Sequence, residues 1–171
     1  MHPKTSFGVD CPVARTLECI GEWWSILILR DAFQGLTRFD QFEKSLGIAP
    51  NILSRRLAHL TETGLFERRR YSTRPPRHEY VLTAKGRDLF PVIAAILAFG
   101  NRHMAPQGET VLLAERATER PVAPIMVDAQ SLMPLTLQNV ALIAGPRATP
   151  RTFERLAMLR RLRADASVTK G

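Results

Sequence analysis

Two short stretches hold most of the side chains whose types and spacing suit a definite chemistry: NILSRRLAH, residues 51–59, and ERRRYSTRPPRHEY, residues 67–80. That chemistry is hydrogen bonding to anions and to nucleobase edges. A guanidinium binds a phosphate or a guanine through two parallel N–H donors. An asparagine amide pairs with adenine, and serine or histidine reaches either a phosphate or a base edge. At about 100° per residue, Asn51, Arg55, Ala58 and Glu62 share one side of a helix, with His59 at its margin and Ser54 and Arg56 on its flanks. Leu53, Leu57 and Leu60 form a narrow apolar stripe opposite.

Other chemistries find little support. There is no nucleophile–base pairing, G-x-G-x-x-G, H-E-x-x-H or phosphate loop, so an enzyme is not expected. His2, His59, His78 and His103 are scattered without ligand spacing, and neither metal nor cofactor is expected. Cys19 lies on an apolar helix face and reads as an inert core thiol. Cys11 precedes Pro12 at a helix start, where the positive end of the helix dipole favours thiolate, so it is a candidate redox residue as well as a structural one. Trp23 and Trp24 suit core packing, and with Phe99 they are also the candidate lining of a pocket for a small aromatic or apolar effector.

Charge agrees with the first chemistry. The chain of 171 residues carries a net charge of +8, which favours a polyanionic partner. Residues 1–104 contribute +5, and all of it lies between Arg55 and Arg77. Basic residues also guard exposed strand edges against mispairing. The adjoining helix favours the nucleic-acid reading over that one. The longest apolar run, WWSILIL, is far short of the ~20 residues that span a bilayer. The first ten residues have no apolar segment of signal-peptide type. With two cysteines and no C-x-x-C pair, a reducing cytoplasm is the expected setting.

The elements that must position these residues follow from periodicity. Val13, Leu17 and Ile20 predict a first helix ending at Gly21. EWWSILILRDAFQG is apolar nearly all round and predicts a buried central helix closed by Gly35. In TRFDQFEKSLG, Thr37 is the expected cap, Asp40 the third helical residue, and Phe39, Phe42 and Leu46 one face. Pro50 then opens the helix of the arginines, and Gly64 closes it. LFERRRY and RHEYVL predict two strands joined by STRPP, whose prolines hold arginines outward. Thr83 caps a predicted long helix, AKGRDLFPVIAAILAFGNRHM. Its Leu89, Val92, Ile93, Ile96, Leu97 and Phe99 cover more than one face, enough for its own domain and a second subunit. This is mainly α with a small β-wing: a helix, a short turn, a second helix and a basic ribbon, the winged helix-turn-helix. Its helix fits the major groove of double-stranded DNA, and its ribbon follows neighbouring phosphates or enters the minor groove.

Beyond Ala105, VLLAE, PIMVD and VALIAG predict short strands between proline-containing turns, and no long internal repeat appears. Thr149 and Pro150 open a last helix with Phe153, Leu156, Leu159 and Leu162 inward, and ASVTKG is expected to fray. Residues 1–104 are therefore read as the DNA-binding and dimerisation domain and residues 105–171 as a strand-and-helix extension.

CPVARTLECIGEWWSILILRD, RFDQFEKSLGIAPNILSRRLAHLTETGLFERRRY, PPRHEYVLTAKG and RPVAPIMVDAQSLMPL, in this order, resemble the HxlR family of bacterial transcriptional regulators, a MarR-like group. The match runs from about Cys11 to Gly100 without gaps. The resemblance implies a homodimeric DNA-binding regulator with its first and last domain helices at the dimer interface. It implies that residues 51–59 lie on the recognition helix and Arg74 and Arg77 on the wing. Thr37, Arg38, Asn51, Ser54, Arg55, Arg56, His59, Arg74 and Arg77 make up the candidate DNA-contact set, and the expected operator is pseudo-palindromic. Cys11 matches the position of a redox-sensing cysteine in some members. The tail resembles that of a longer subset, some of whose members carry cysteines suggestive of a metal knuckle. This tail has none. The reading expected of the chain is a regulator, most simply a repressor, switched by an effector or by oxidation. A winged helix that serves protein–protein contacts alone is the alternative.

Overall fold

The computed structural model describes residues 11–168. In chain order the elements are α1 (Pro12–Ile20), α2 (Trp23–Phe33), α3 (Phe39–Leu46), α4 (Pro50–Glu62), β1 (Phe66–Thr73), β2 (Pro76–Leu82), α5 (Ala84–Arg87), α6 (Phe90–Met104) and α7 (Pro150–Val168). They fall into two compact units, one spanning Thr16–Ile125 and the other joining the described residues up to Arg15 with those from Met126 onward.

The core of the first unit forms where the apolar stripes of α2, α3 and α4 meet. Leu53, Leu57 and Leu60 of α4 are each fully buried against Ile28, Leu29, Phe42, Leu65 and Phe66. The rings of Phe42 and Phe66 meet edge to face with centroids 6.4 Å apart, joining α3 to the root of the wing. β1 and β2 pair antiparallel from Phe66 opposite Leu82 to Thr73 opposite Pro76, with a bulge at Tyr71. A bulge sharpens the local twist of a ribbon.

The structure differs from expectation at four places. α3 begins at Phe39, one residue later than predicted, and its cap is not the Thr37 hydroxyl. The Gln41 side chain reaches back instead, its Oε1 accepting from the N–H of Thr37 at 3.0 Å and of Arg38 at 2.9 Å. A longer amide side chain one turn in satisfies two orphan donors where a hydroxyl satisfies one. The predicted long helix after Thr83 is two helices. Pro91 lacks an N–H for the Arg87 carbonyl and its ring collides with that carbonyl, so α5 ends at Arg87 and α6 starts at Phe90. Thr83 does cap α5, accepting from the Gly86 N–H at 3.0 Å. α2, expected to be apolar nearly all round, also buries Ser25 and Asp31, and Asp31 is held by Arg30 at 2.7 Å.

The fourth difference is in the tail. Among the described residues its apolar runs form isolated bridges, not strands: Ala114 with Pro121 and Val127 with Pro134. Each bridge closes a hairpin of one design. Thr118 Oγ1 donates to Glu115 Oε2 at 2.6 Å, and Ser131 Oγ donates to Asp128 Oδ2 at 2.9 Å. A left-handed residue follows each hydroxyl, Glu119 at φ 55° and Leu132 at φ 57°. The carboxylate satisfies the turn locally, so neither hairpin needs a neighbouring strand. In α7, Leu156 and Leu159 are half-buried whereas Phe153 and Leu162 are 56% and 57% exposed, not inward. α7 runs on to Val168, into the segment expected to fray; the rest of that segment and His2 lie outside the described residues. No helix among the described residues is long and apolar enough to cross a membrane.

Candidate nucleic-acid interface

α4 is built outward from its buried leucines. With Leu53, Leu57 and Leu60 inward, Asn51, Ser54, Arg55 and Ala58 stand exposed on the opposite side. The Asn51 Oδ1 accepts from the Ile52 N–H at 2.9 Å, which tethers that side chain to the first helical turn. Arg55 and Ser54 make no ion pair or hydrogen bond within the described residues, so their donors are open to a ligand.

Two members of the predicted contact set lie elsewhere. Arg56, expected at the solvated flank, is 4% exposed, and its Nη2 lies 3.2 Å from Glu22 Oε1 at the joint between α1 and α2. Its charge is taken up inside the protein. His59 is half-buried beside the same joint, where a Cβ on Gly21 would stand 3.2 Å from its Nε2. Gly21 has φ of 81°, a region that suits glycine, and that lets the turn lie close over both side chains.

The wing carries its cations in two arrangements. Arg74 and Arg77 stand exposed at and beside the tip, with no ion pair among the described residues. Arg68 and Arg70 belong to the body of the ribbon, on the face that continues from buried Phe66. Arg68 Nη2 lies 3.1 Å from His78 Nδ1, and Arg70 stands opposite His78 in register. Arg70 also donates to the carbonyls of Ser72 and Thr73, bracing the tip. Burial, Arg68 and Arg70 together hold the His78 imidazole below its ordinary pKa. Arg69 is paired with Glu67 at 3.0 Å, and that contact keeps the Glu67 carboxyl below the usual carboxylate range.

Thr37 and Arg38 fasten the wing to α3. The Thr37 carbonyl accepts from the Tyr80 N–H at 2.7 Å, and the backbones of Arg38 and Glu79 form an isolated antiparallel β-bridge. The Arg38 guanidinium lies over the Tyr71 ring. The half-buried Thr37 and the exposed Arg38 are thus brought to the same side chain cluster as the wing.

Helix, turn, second helix and basic ribbon make up a winged helix, and comparison with known proteins decides its lineage. The profile of HxlR-like helix-turn-helix proteins matches residues 19–108. The chain belongs to the HxlR family. It is 41% identical over 135 residues to Rv3095 of Mycobacterium tuberculosis, an uncharacterised helix-turn-helix-type transcriptional regulator, covering 78% of this chain and 85% of that one. The solved structure of PA1374, a candidate transcription factor of Pseudomonas aeruginosa, matches with 52% identity and a TM-score of 0.63 over 85% of this chain and 99% of that one. The redox regulator HypR, in its reduced form, matches with 32% identity and a TM-score of 0.51 over 55% of this chain and 96% of that one. This HxlR chain is a transcriptional regulator with a helix-turn-helix DNA-binding fold.

The remaining candidates are dispersed. Trp23 is 62% exposed and not in the core, its ring stacked on that of half-buried Trp24 at 4.0 Å. Phe99 is 58% exposed and lies against His103. A cavity of about 260 Å³ lies along α6 between Ala94, Leu97, Asn101 and the segment from Glu109 to Pro124, and none of these three aromatics lines it. The Cys11 thiol is held below its ordinary pKa of 9.0, chiefly by the Ala14 N–H and further by that of Val13 and by Arg155. Cys19 packs beside the core, its Sγ 3.9 Å from the Thr63 carbonyl. Residues that sequence reasoning missed are Glu22, Gln41, Tyr71, Gly86 and Arg155. Of these only Gln41 had a local signal, since Gln at the third helical position is the reach-back half of a capping box.

Proposed function

We propose that the protein is a homodimeric, sequence-specific DNA-binding repressor. In this reading Asn51, Ser54 and Arg55 enter the major groove on α4, and Arg74 and Arg77 contact phosphates or the minor groove. The observation that carries it is the segregation on α4: three fully buried leucines behind, and exposed hydrogen-bonding side chains in front, beside an arginine-tipped wing. Thr37 and Arg38 complete the contact set at the wing's base. Arg56 and His59, turned toward the α1–α2 joint, are left out of it.

Dimerisation is supported by apolar side chains left uncovered in the single chain. Val13 and Leu17 of α1 are 68% and 61% exposed, and Val92, Ile96 and Phe99 of α6 are 43% to 58% exposed. Uncovered apolar side chains on these two helices suit a self-complementary two-fold contact, although the tail leaves others uncovered as well, among them Ile125, Leu137 and Ile143. Two recognition helices related by that axis require half-sites about 34–36 Å apart, or a multiple of that spacing. Light scattering should return twice the 19.2 kDa chain mass. Footprinting on duplexes selected from a random pool should return a pseudo-palindrome. A dimer that occupies one asymmetric half-site would overturn the two-fold reading, and binding that ignores sequence would favour the protein–protein alternative.

For the switch, oxidation at Cys11 is the reading with a specific observation behind it. The thiol sits at the first turn of α1 with Arg155 beside it, an environment that stabilises thiolate, and HypR is a redox regulator of the same fold. The effector pocket of Trp23, Trp24 and Phe99 has no comparable support. Diamide should change operator affinity in the wild type and leave Cys11→Ser unchanged; equal affinity of the wild type in reductant and oxidant would make Cys11 structural.

A further inference from the structure

Arg56 presents an unusual arrangement for a cation on a recognition helix. It points not to solvent but into the protein, where its side chain keeps 5% of its accessible surface. Its ion-pair partner there is Glu22, which stands at the N-cap position of α2 without a side-chain cap bond, immediately after Gly21 at the end of α1. Glu22 keeps 52% of its side-chain surface, so the pair has one buried and one wet member. The Arg56 Nε is buried without a hydrogen-bond partner among the described residues, and so is the Ser25 Oγ one turn into α2. The atoms nearest to a Cβ placed on Gly21 belong to α4: His59 Nε2 at 3.2 Å and Arg56 Nη1 at 3.4 Å.

A buried guanidinium with incomplete hydrogen bonding is costly, and a leucine or methionine in its place would bury as well or better. What an arginine offers instead is a charge that reaches across the joint to one carboxylate, through a single Nη2–Oε1 contact at 3.2 Å. The link joins the two elements whose relation matters for reading DNA: α4, and the hinge-like pair of residues from which α1, with its uncovered apolar side chains, departs.

We infer that Arg56 is a positioning residue that couples the orientation of α1 to that of the recognition helix through Glu22. The inference rests on the DNA-binding reading above and adds the route by which a change at the subunit contact reaches α4. A displacement of α1 moves Gly21 and Glu22, Glu22 carries Arg56, and Arg56 rotates or shifts the helix on which Asn51, Ser54 and Arg55 stand. By reciprocity, DNA that holds α4 must bias the joint.

The chain supplies its own reporter. Its two tryptophans, Trp23 and Trp24, directly follow Glu22 and stack on each other. Adding a duplex selected from a random pool to the full-length wild type is expected to change tryptophan emission. In Glu22→Gln, which keeps the side-chain volume and removes the charge, the emission change should be lost and affinity for that duplex should fall roughly fivefold or more, the range of a coupling free energy. Arg56→Lys, which keeps a charge but not the fork, should retain part of the emission change. A purely structural role would lower stability and leave the emission response intact in the folded fraction. A second arm needs no DNA: in Glu22→Gln, amide hydrogen exchange should quicken together in the last turn of α1 and in α4, with α3 and α5 unchanged. An emission response and an affinity equal to wild type in Glu22→Gln would overturn the coupling, as would exchange confined to α2. If selection returns no duplex, the DNA-binding reading fails, and the exchange arm alone then decides the coupling.

Discussion

The guanidinium carbon of Arg38 stands 4.6 Å from the centre of the Tyr71 ring. This contact joins the residue before α3 to the bulged residue of β1, so the wing is held to the helix-turn-helix by a side chain as well as by the Thr37–Tyr80 backbone bond. Exposed cation–π contacts are worth about 0.5–1 kcal/mol. Tyr71→Ala should lower unfolding stability by about that amount and loosen the wing, weakening DNA of every sequence alike, whereas Tyr71→Phe should match the wild type. Urea melts and binding isotherms on operator and unrelated DNA check both.

Arg55 and the wing-tip arginines are expected to fail differently. Arg55→Ala should cost roughly 1–3 kcal/mol on the preferred site and relax selectivity at a single base-pair position. Arg74→Ala and Arg77→Ala should weaken all sequences similarly, each reducing the salt dependence of binding by about one unit. An unchanged salt slope with loss confined to the operator would move those two arginines to base reading.

His78 gives the wing a pH dependence whose sign follows from its surroundings. Burial and the facing cations Arg68 and Arg70 lower its pKa in the folded chain. Its contribution to stability is therefore complete above the unfolded value of about 6.5 and is lost as pH falls through the lowered folded value. A phosphate drawn to Arg68 and Arg70 acts the other way, favouring the imidazolium, so binding should take up a proton. Affinity should rise as pH falls toward the lowered pKa of His78 in the folded chain, and His78→Gln should flatten the rise. An identical pH slope in the variant would place the phosphates away from this face of the ribbon.

Gly86 of α5 is buried against the backbone of Leu65, whose carbonyl oxygen a Cβ would meet head-on. That oxygen is already engaged by the Thr83 N–H at 3.1 Å, so it cannot turn aside freely. Gly86→Ala should cost about 1–3 kcal/mol, the usual penalty of overpacking, although alanine is the better helix former. Thermal melts would decide; a stabilised Gly86→Ala would mean that α5 can lift from the wing's root.

How much of this was legible from the chain alone divides along the range of the forces involved. The α4 stripe of Leu53, Leu57 and Leu60, the two ribbon strands and the arginine-bearing turn between them are short-range properties, written in periods of 3.6 and 2 and in the turn chemistry of proline. The local rules pointed the right way for each. Where a local rule was overlooked, as with Pro91 splitting the last domain helix or Gln41 capping α3, the information was nonetheless present within four residues.

Arg56 is of the other kind. At the flank of the α4 stripe, a cation can snorkel to water or turn inward, and periodicity does not choose between them. The choice was made by Glu22, 34 residues away in sequence, which the tertiary fold places 3.2 Å from its guanidinium. Gly86 follows the same logic, pressed on the backbone of Leu65. For α3, α4 and the wing, the sequence by itself determined which elements form and which face of each is greasy, because those depend on neighbours within a turn or two. Only the tertiary structure decided which charges remain available to a ligand, because burial and pairing depend on what packs against a residue from the far side of the chain.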